Sequence, residues 1–199
     1  MEQVLEFLDQ IDKDLLLFLH NQTTPFLDLL MVKFTEKYTW IPLYLILIVA
    51  LIRQFGWQAL YSIAAVILVV VICDQLTSSF MKPFFGRLRP CHDPEIGHLI
   101  RIIRRCGGEF GFVSSHAANS LAVSTFYILL FHRTHRYVWI LLIWPMLFSY
   151  SRLYLGVHYP LDVLGGALVG VGVGWMVYKV TVKLSLVIPF NFTPVKGSA

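Results

Sequence analysis

The sequence predicts an all-α integral membrane protein, a bundle of six transmembrane helices with an interfacial amphipathic helix at the N-terminus. Two observations favour this fold class. Hydrophobic residues make up 57% of the 199 positions and charged residues only 14%, a composition too apolar for a soluble domain of this length. The apolar residues are also collected into separate stretches joined by polar connections. We therefore expect one membrane-embedded domain, residues 1–199, without a separate soluble module.

The N-terminal segment, residues 2–19, carries polar and apolar side chains on opposite sides of a helix. The polar side comprises Glu2, Glu6, Asp9 and Lys13, and the apolar side comprises Leu5, Leu8, Ile11, Leu15 and Phe18. This pattern predicts an amphipathic helix lying in the membrane interface. The first residues are acidic where a signal peptide has a basic segment, so we expect no cleavable signal peptide.

Six apolar stretches follow and predict six crossings of the membrane. They comprise residues 26–34, a short or tilted span, and residues 40–52, 57–80, 115–131, 137–149 and 161–180. Thr24 and Pro25 are typical of the N-cap and first position of the first of these helices. In the last stretch Gly166, Gly170 and Gly174 recur every four residues, which favours close helix packing and indicates no chemistry.

A polar loop, residues 82–114, separates the third crossing from the fourth. It is rich in basic residues, namely Lys82, Arg87, Arg89, Arg101, Arg104 and Arg105. Loops of this length without evident structure are usually functional or disordered. Six crossings would place this active-site loop at the same membrane face as His116, Arg152 and His158.

The loop has two further features. Cys91 and Cys106 bracket its basic part, and we hypothesise that they form a disulfide if the loop faces an oxidising compartment. Such a bridge would contribute roughly 3 kcal/mol in the entropic description. Arg101, Arg104 and Arg105 are suited to binding a second phosphate or anionic head groups, and equally to resting on the membrane surface.

Residues 151–162 place a cation, an imidazole and a carboxylate inside apolar sequence, as Arg152, His158 and Asp162. Ionisable side chains at membrane depth are unfavourable unless they pair or line a wet cavity, so they are functional candidates. If one helix contains both His158 and Asp162, their spacing of four lets the carboxylate bind one imidazole nitrogen and leaves the other free. A free imidazole beside an arginine suits attack on phosphate. The alternative is a structural His–Asp pair that closes a helix terminus.

Two other blocks supply groups that suit the same chemistry. Lys82 and Arg89, together with Arg152, are three cations able to neutralise a phosphoryl group, although each alone would also serve as an interfacial anchor. Ser114 and Ser115 precede His116 at the start of the fourth crossing. A helix N-terminus favours anions, and simple N-capping is the alternative for the serines. His116 would protonate a leaving oxygen.

In this order the residues resemble the type 2 phosphatidic acid phosphatase (PAP2) superfamily of integral membrane lipid phosphatases. The pattern Lys-x6-Arg-Pro, then Ser-x-His, then Ser-Arg-x5-His-x3-Asp extends from Lys82 to Asp162. The middle block departs from the family pattern, because Val113 and Ser115 stand where Pro and Gly are usual.

The resemblance implies a role for each motif residue. His158 would attack phosphorus to form a phosphohistidine, Asp162 would orient His158, and His116 would protonate the leaving lipid oxygen and later activate water. The implied phosphate-binding residues are Lys82, Arg89, Ser114, Ser115 and Arg152. The resemblance implies no metal and no other cofactor.

The expected substrate is a lipid phosphate in the bilayer, first of all undecaprenyl diphosphate, as in the bacterial undecaprenyl diphosphate phosphatases of this superfamily. Phosphatidylglycerophosphate, phosphatidic acid and lipid A are alternatives with the same motifs. A non-catalytic lipid-binding or transport protein is the alternative from another class. We expect a multi-pass protein of the bacterial inner membrane with its site facing the periplasm or the cell exterior. We expect no obligatory protein partner and, without a basic stripe on a soluble face, no nucleic acid.

Overall fold

The computed structural model describes residues 2–187, and residue 1 and residues 188–199 of the predicted domain lie outside this range. Within it the chain is helical without β-strands, which confirms the predicted class. The α-helices are α1 (Glu2–His20), α2 (Pro25–Thr35), α3 (Ile41–Phe55), α4 (Ala59–Asp74), α5 (Lys82–Phe85), α6 (Ser115–Phe131), α7 (Ile143–Tyr154) and α8 (Pro160–Val187). A π-helical segment, Gln75–Met81, joins α4 to α5 without a break.

Among residues 2–187, two helical stretches are long and apolar enough to cross a membrane, Lys37–Phe85 and Pro160–Leu184. The first has 49 residues and contains α3 and α4, which are separated at Gly56, where φ is +57°. A third candidate is the pair Gln3–His20 and Pro25–Thr35, bent by 117°, if the two helices form one span. Since α6 and α7 have only 17 and 12 residues, the count of six crossings stays a prediction.

Helix α6 lies at the centre of the bundle and packs against α8, α4 and α7. The glycine stripe of α8 faces it: a Cβ added at Gly166 or Gly170 would collide with the backbone carbonyl of Ser114 or Ala118. The stripe therefore does what the sequence predicts and permits close packing. It also fixes the N-terminal ends of α6 and α8 side by side, and these ends carry predicted site residues, among them Ser115, His116 and Asp162.

Helix α1 turns its polar side toward the protein and its apolar side outward. Asp12 and Lys13 are only 2% and 9% exposed, whereas Leu5 and Phe18 are 61% and 64% exposed. Asp12 accepts a hydrogen bond of 2.8 Å from the backbone N–H of Leu161, at the start of α8. The outward apolar side suits an interfacial helix, while the buried polar side connects α1 to the region of the predicted site.

The loop before α6 is shorter and more ordered than the sequence predicts. Its first residues form the helical turn α5, so the loop begins at Gly86. Two backbone hydrogen bonds, Arg89 N to Glu109 O at 3.0 Å and Gly111 N to Arg87 O at 2.8 Å, join its two ends. A disulfide links Cys91 and Cys106, whose Cα atoms are 6.5 Å apart. The loop is thus clamped at its base and again by the disulfide.

Candidate active site

The three motif blocks meet where α6 and α8 begin. The backbone N–H of Ser114 donates to the carbonyl of Asp162 at 2.9 Å, which joins the second block to the third. Lys82 Nζ donates to Ser115 Oγ at 3.0 Å, which joins the first block to the second. Residues up to 80 positions apart in the sequence therefore form one cluster.

His158 and Asp162 form the predicted pair, although His158 lies just before α8 and not in the same helix as Asp162. Both side chains are buried, at 1% and 0% exposed. His158 Nδ1 lies 3.3 Å from Asp162 Oδ2, and the Tyr159 backbone N–H donates to the same oxygen at 3.0 Å. With Nδ1 held in this way, the lone pair of Nε2 is free to act as a nucleophile.

The environment of His158 keeps its imidazole neutral. Burial lowers the pKa of His158 well below its usual value, and the positive charges of Arg152 and Arg89 lower this pKa further. A neutral imidazole retains the electron pair that attack on phosphorus needs. Arg152 and Arg89 thus have two effects: they favour the neutral form of His158, and they attract the phosphate group that His158 would attack.

Arg87 is a functional candidate that the sequence motifs do not single out. Its guanidinium donates to Asp162 Oδ1 at 3.0 Å and forms ion pairs with Asp12 and Asp9 of α1, at 2.8 and 2.9 Å. It also lies 4.1 Å from the ring centroid of Tyr159. Arg87 therefore fixes the second oxygen of the carboxylate that orients His158. A signal for this role was present in the sequence: acidic residues outnumber basic residues on the polar side of residues 2–19, so a cation from elsewhere in the chain was needed to balance them.

Arg89, Arg152 and His116 line a polar cavity of about 390 Å³. The chain holds both arginines in place: Arg89 donates to the Phe110 and Val157 carbonyls at 3.2 and 3.3 Å, and Arg152 Nη1 donates to a threonine hydroxyl at 2.6 Å. Such fixed cations are preorganised to stabilise charge on a phosphoryl group. His158 is buried and does not itself line this cavity, whereas the adjacent Val157 does.

The predicted serines reach the site but do not line the polar cavity. Ser114 is fully buried, and its N–H is used by Asp162. The Ser115 hydroxyl contacts Thr77 and Ser78 at 2.9 Å each, in addition to Lys82. In this arrangement Ser115 positions Lys82, and phosphate binding by the two serines stays a prediction. No non-glycine residue in the described range has a positive φ, so Ser115 needs no glycine-like backbone.

A second, mostly apolar cavity of about 500 Å³ opens between α3, α4, α6 and α7. Its lining includes Leu47, Val66, Val123 and Phe148. His116 borders both cavities, and its ring packs edge-on against Phe148 with centroids 5.0 Å apart. A molecule with a phosphorylated head in the polar cavity and a hydrocarbon tail in the apolar cavity would place the bond between them beside His116.

Gly111 lies so close to the site residues Asp162 and Arg89 that there is no room for a side chain at this position. A Cβ at this position would lie 2.8 Å from Asp162 Oδ2 and 3.3 Å from Arg89 Cγ. We expect Gly111→Ala to reduce kcat by roughly a hundredfold, because displacement of the nucleophile and its partner by about 1 Å is enough for such a loss. Gly108→Ala is the matched control, since nothing lies within 4 Å of its added Cβ. Equal activity of both variants in a phosphate-release assay would contradict this account.

Comparison with known proteins agrees with the geometry. The sequence model of the PAP2 superfamily matches residues 55–185. A lipid A 4′-phosphatase of Bacteroides thetaiotaomicron is 42% identical over 198 residues, which cover 98% of this chain and 87% of that protein. A lipid A 4′-phosphatase of Porphyromonas gingivalis is 36% identical over 178 residues, covering 88% of this chain and 75% of that protein.

More distant similarities extend to another substrate class and to a solved structure. An undecaprenyl-diphosphatase of Sulfolobus acidocaldarius is 31% identical over 140 residues, covering 69% of this chain and 61% of that protein. The crystal structure of Aquifex aeolicus LpxE superposes with a TM-score of 0.60 and 26% identity, covering 83% of this chain and 93% of that chain.

Proposed function

The chain belongs to the PAP2 superfamily and is a membrane lipid phosphatase, and we propose that it removes the 4′-phosphate from lipid A. The similarity to two lipid A 4′-phosphatases, one of them over almost the whole chain, supports this substrate. From the sequence alone, the compact single-domain chain with its basic loop and expected outward-facing site had favoured undecaprenyl diphosphate, although the motifs themselves do not separate the substrates. That substrate is now the second candidate, because the undecaprenyl-diphosphatase shares less identity over a smaller part of the chain.

The observation that carries the proposal is that His116 borders both the polar and the apolar cavity. A lipid A molecule has a phosphorylated sugar head and acyl chains, which match a cationic cavity that shares a lining residue with an apolar one. The scissile bond would then lie beside an imidazole that can donate a proton. A soluble phosphate ester would have no use for the apolar cavity.

In the first step His158 Nε2 attacks phosphorus and forms a P–N bond. The bond between phosphorus and the lipid oxygen breaks. His116, which is protonated once the bound phosphate offsets the charges of Arg89 and Arg152, gives its proton to that oxygen, which leaves as a hydroxyl. Arg89, Arg152 and Lys82 stabilise the negative charge on the phosphoryl oxygens. Asp162 holds His158 Nδ1 and stabilises the positive charge that develops on the ring.

In the second step neutral His116 takes a proton from water, and the water oxygen attacks the phosphohistidine. The P–N bond breaks, inorganic phosphate is released, and both histidines return to their starting states. Three fixed cations supply the charge that a metal ion supplies in other phosphatases. We therefore propose a metal-independent reaction.

We also propose that the site faces the periplasm. The disulfide between Cys91 and Cys106 supports this orientation, because disulfides form and persist in oxidising compartments. Phosphate release by intact spheroplasts from externally added substrate tests it. Activity that appears only after the membrane is permeabilised would place the site on the cytoplasmic side.

The substrate is tested by measuring phosphate release from lipid A, undecaprenyl diphosphate and phosphatidylglycerophosphate with purified protein in detergent containing EDTA. We expect the highest kcat/KM for lipid A and no loss of activity in EDTA. A clear preference for undecaprenyl diphosphate would establish the second candidate. Release from none of these lipids would favour a non-catalytic lipid-binding protein, and loss of activity in EDTA would exclude metal independence.

A further inference from the structure

We propose that the outer part of the polar cavity is a second anion subsite, formed by Lys37, Arg104 and Arg105, which binds another phosphate on the head group of the same substrate. All three residues line the cavity that contains Arg89 and Arg152. All three side chains are exposed, which assigns them to the outer part of the cavity, whereas Arg89 is only 8% exposed. The inference rests on the proposed function, since it assumes that the reacting phosphate occupies the inner part.

The charges lining the cavity exceed what one phosphate requires. Its lining contains five cations and one acidic residue, namely Lys37, Arg89, Arg104, Arg105, Arg152 and Glu36. A phosphate monoester carries about −1.5 to −2, which the inner arginines and Lys82 can neutralise. The outer cations, offset only by Glu36, leave two further positive charges. Surplus positive charge in a concave site attracts an additional anion.

The outer cations are also available for a ligand. Arg105 forms no ion pair or hydrogen bond within the described residues, and Lys37 contacts only the ring of Tyr38, at 5.3 Å from its centroid. Arg104 lies 3.6 Å from Glu36, and both side chains are partly exposed, at 44% and 33%. An exposed pair of this kind is weak and easily exchanged for a phosphate contact.

The backbone that carries these cations is held on both sides of the cavity. Arg104 and Arg105 directly precede Cys106, which the disulfide ties to Cys91. Lys37 starts a 3₁₀ turn that is tied back to α2, where Trp40 Nε1 donates to the Phe34 carbonyl at 2.8 Å. Anchoring of this kind reduces the entropy lost on binding, which distinguishes the subsite from a flexible basic loop on a membrane surface.

The cavity is also large enough for more than one group. Its volume of about 390 Å³ falls in the range of roughly 300–1,000 Å³ that is typical of sites for whole small molecules. A single phosphoryl group would fill only its inner end. Arg101, in the same loop, differs from these cations: it does not line the cavity, and its charge is balanced by an ion pair with Asp28 at 2.6 Å.

The test compares a bisphosphorylated disaccharide lipid with its monophosphorylated counterpart that keeps the reacting phosphate. We expect Arg105→Gln and Lys37→Gln each to raise KM for the bisphosphorylated lipid by about tenfold, with kcat unchanged and KM for the monophosphorylated lipid unchanged. Arg105→Lys should recover part of the loss. Arg101→Gln is the matched control, since it removes the same charge from the same loop outside the cavity.

A second pair of lipids identifies the source of the second phosphate. If the variants raise KM for undecaprenyl diphosphate but not for undecaprenyl phosphate, the subsite binds the non-reacting phosphate of a diphosphate. If they raise KM only for the bisphosphorylated disaccharide lipid, the subsite binds a phosphate remote from the reacting one. Either result supports the subsite. Equal changes in KM for both lipids of every pair, or the same rise in KM in Arg101→Gln, would overturn the subsite and indicate general attraction of anionic lipids by a basic surface.

An equilibrium measurement separates this inference from the proposed function. In a His158→Ala background, which retains the outer cations, binding of the bisphosphorylated lipid should exceed binding of the monophosphorylated lipid, and Arg105→Gln should abolish the difference. If the wild-type protein hydrolyses none of the lipids but the difference in binding between the two lipids persists, the proposed function is wrong and the subsite is supported. If hydrolysis occurs but the two lipids bind with equal affinity, the subsite proposal is wrong and the proposed function is unaffected.

Discussion

Replacing His158 with alanine is expected to reduce phosphate release by a factor on the order of 10⁴ or more, because the protein then lacks its nucleophile. The side chain is 1% exposed, and its pKa is held below the usual value by burial and by Arg152 and Arg89, so it is ready to attack at neutral pH. His98→Ala is the matched control, since His98 is exposed in the loop before α6. Turnover that persists in His158→Ala would contradict the assignment of the nucleophile.

The covalent intermediate provides an independent readout of the same prediction. Protein mixed with substrate labelled in the reacting phosphate and quenched in alkali should carry label, because a phosphohistidine withstands alkali but not acid. His116→Ala should slow both proton transfers without removing the nucleophile. Label on His158→Ala protein would show that another residue accepts the phosphoryl group.

Replacing Arg87 with glutamine is expected to lower the free energy of unfolding by about 3–5 kcal/mol, because it leaves buried carboxylates without their counter-charge. Asp162 and Asp12 are 0% and 2% exposed, and Arg87 contacts both, at 3.0 and 2.8 Å. Chemical denaturation in detergent measures this loss. Arg104→Gln is the control, since its exposed pair with Glu36 should contribute about 0–1 kcal/mol.

The same variant should lower kcat more than it raises KM. Arg87 holds the oxygen of Asp162 that does not face His158, so its loss would disturb the orientation of the nucleophile rather than the binding of phosphate. Arg87→Lys should recover only part of the activity, because a single ammonium group cannot reproduce the planar contacts of a guanidinium. If Arg87→Gln folds with wild-type kcat, Arg87 has a structural role alone.

A double-mutant cycle separates positioning from simple stabilisation. Asp12→Asn in the Arg87→Gln background removes one of the uncompensated charges, so stability should partly return. The kcat should stay low, because the contact to Asp162 is still missing. Recovery of both quantities together would mean that α1 affects the site only through the stability of the fold.

The sequence by itself determined the fold class, the motif residues and the chemistry they suggest. The composition excludes a soluble domain, and the glycine stripe at Gly166 and Gly170 predicts the close contact of α8 with α6 that the structure has. The pair of His158 and Asp162 was predictable from its spacing of four residues, although the contact forms across the start of α8 at Pro160 and not within one helix. These inferences depend on local spacing or on composition, which a sequence displays directly.

Only the tertiary structure decided the features that depend on distant contacts. Arg87 is 78 positions from Asp9 and 75 from Asp162, and no local pattern specifies which of the loop cations fills the space between those carboxylates. The same holds for Ser115, which contacts Lys82 instead of lining the polar cavity, and for His116, which borders two cavities. Pair contacts and cavities arise from how helices pack, because a side chain's neighbours across the bundle are set by the fold and not by its place in the chain.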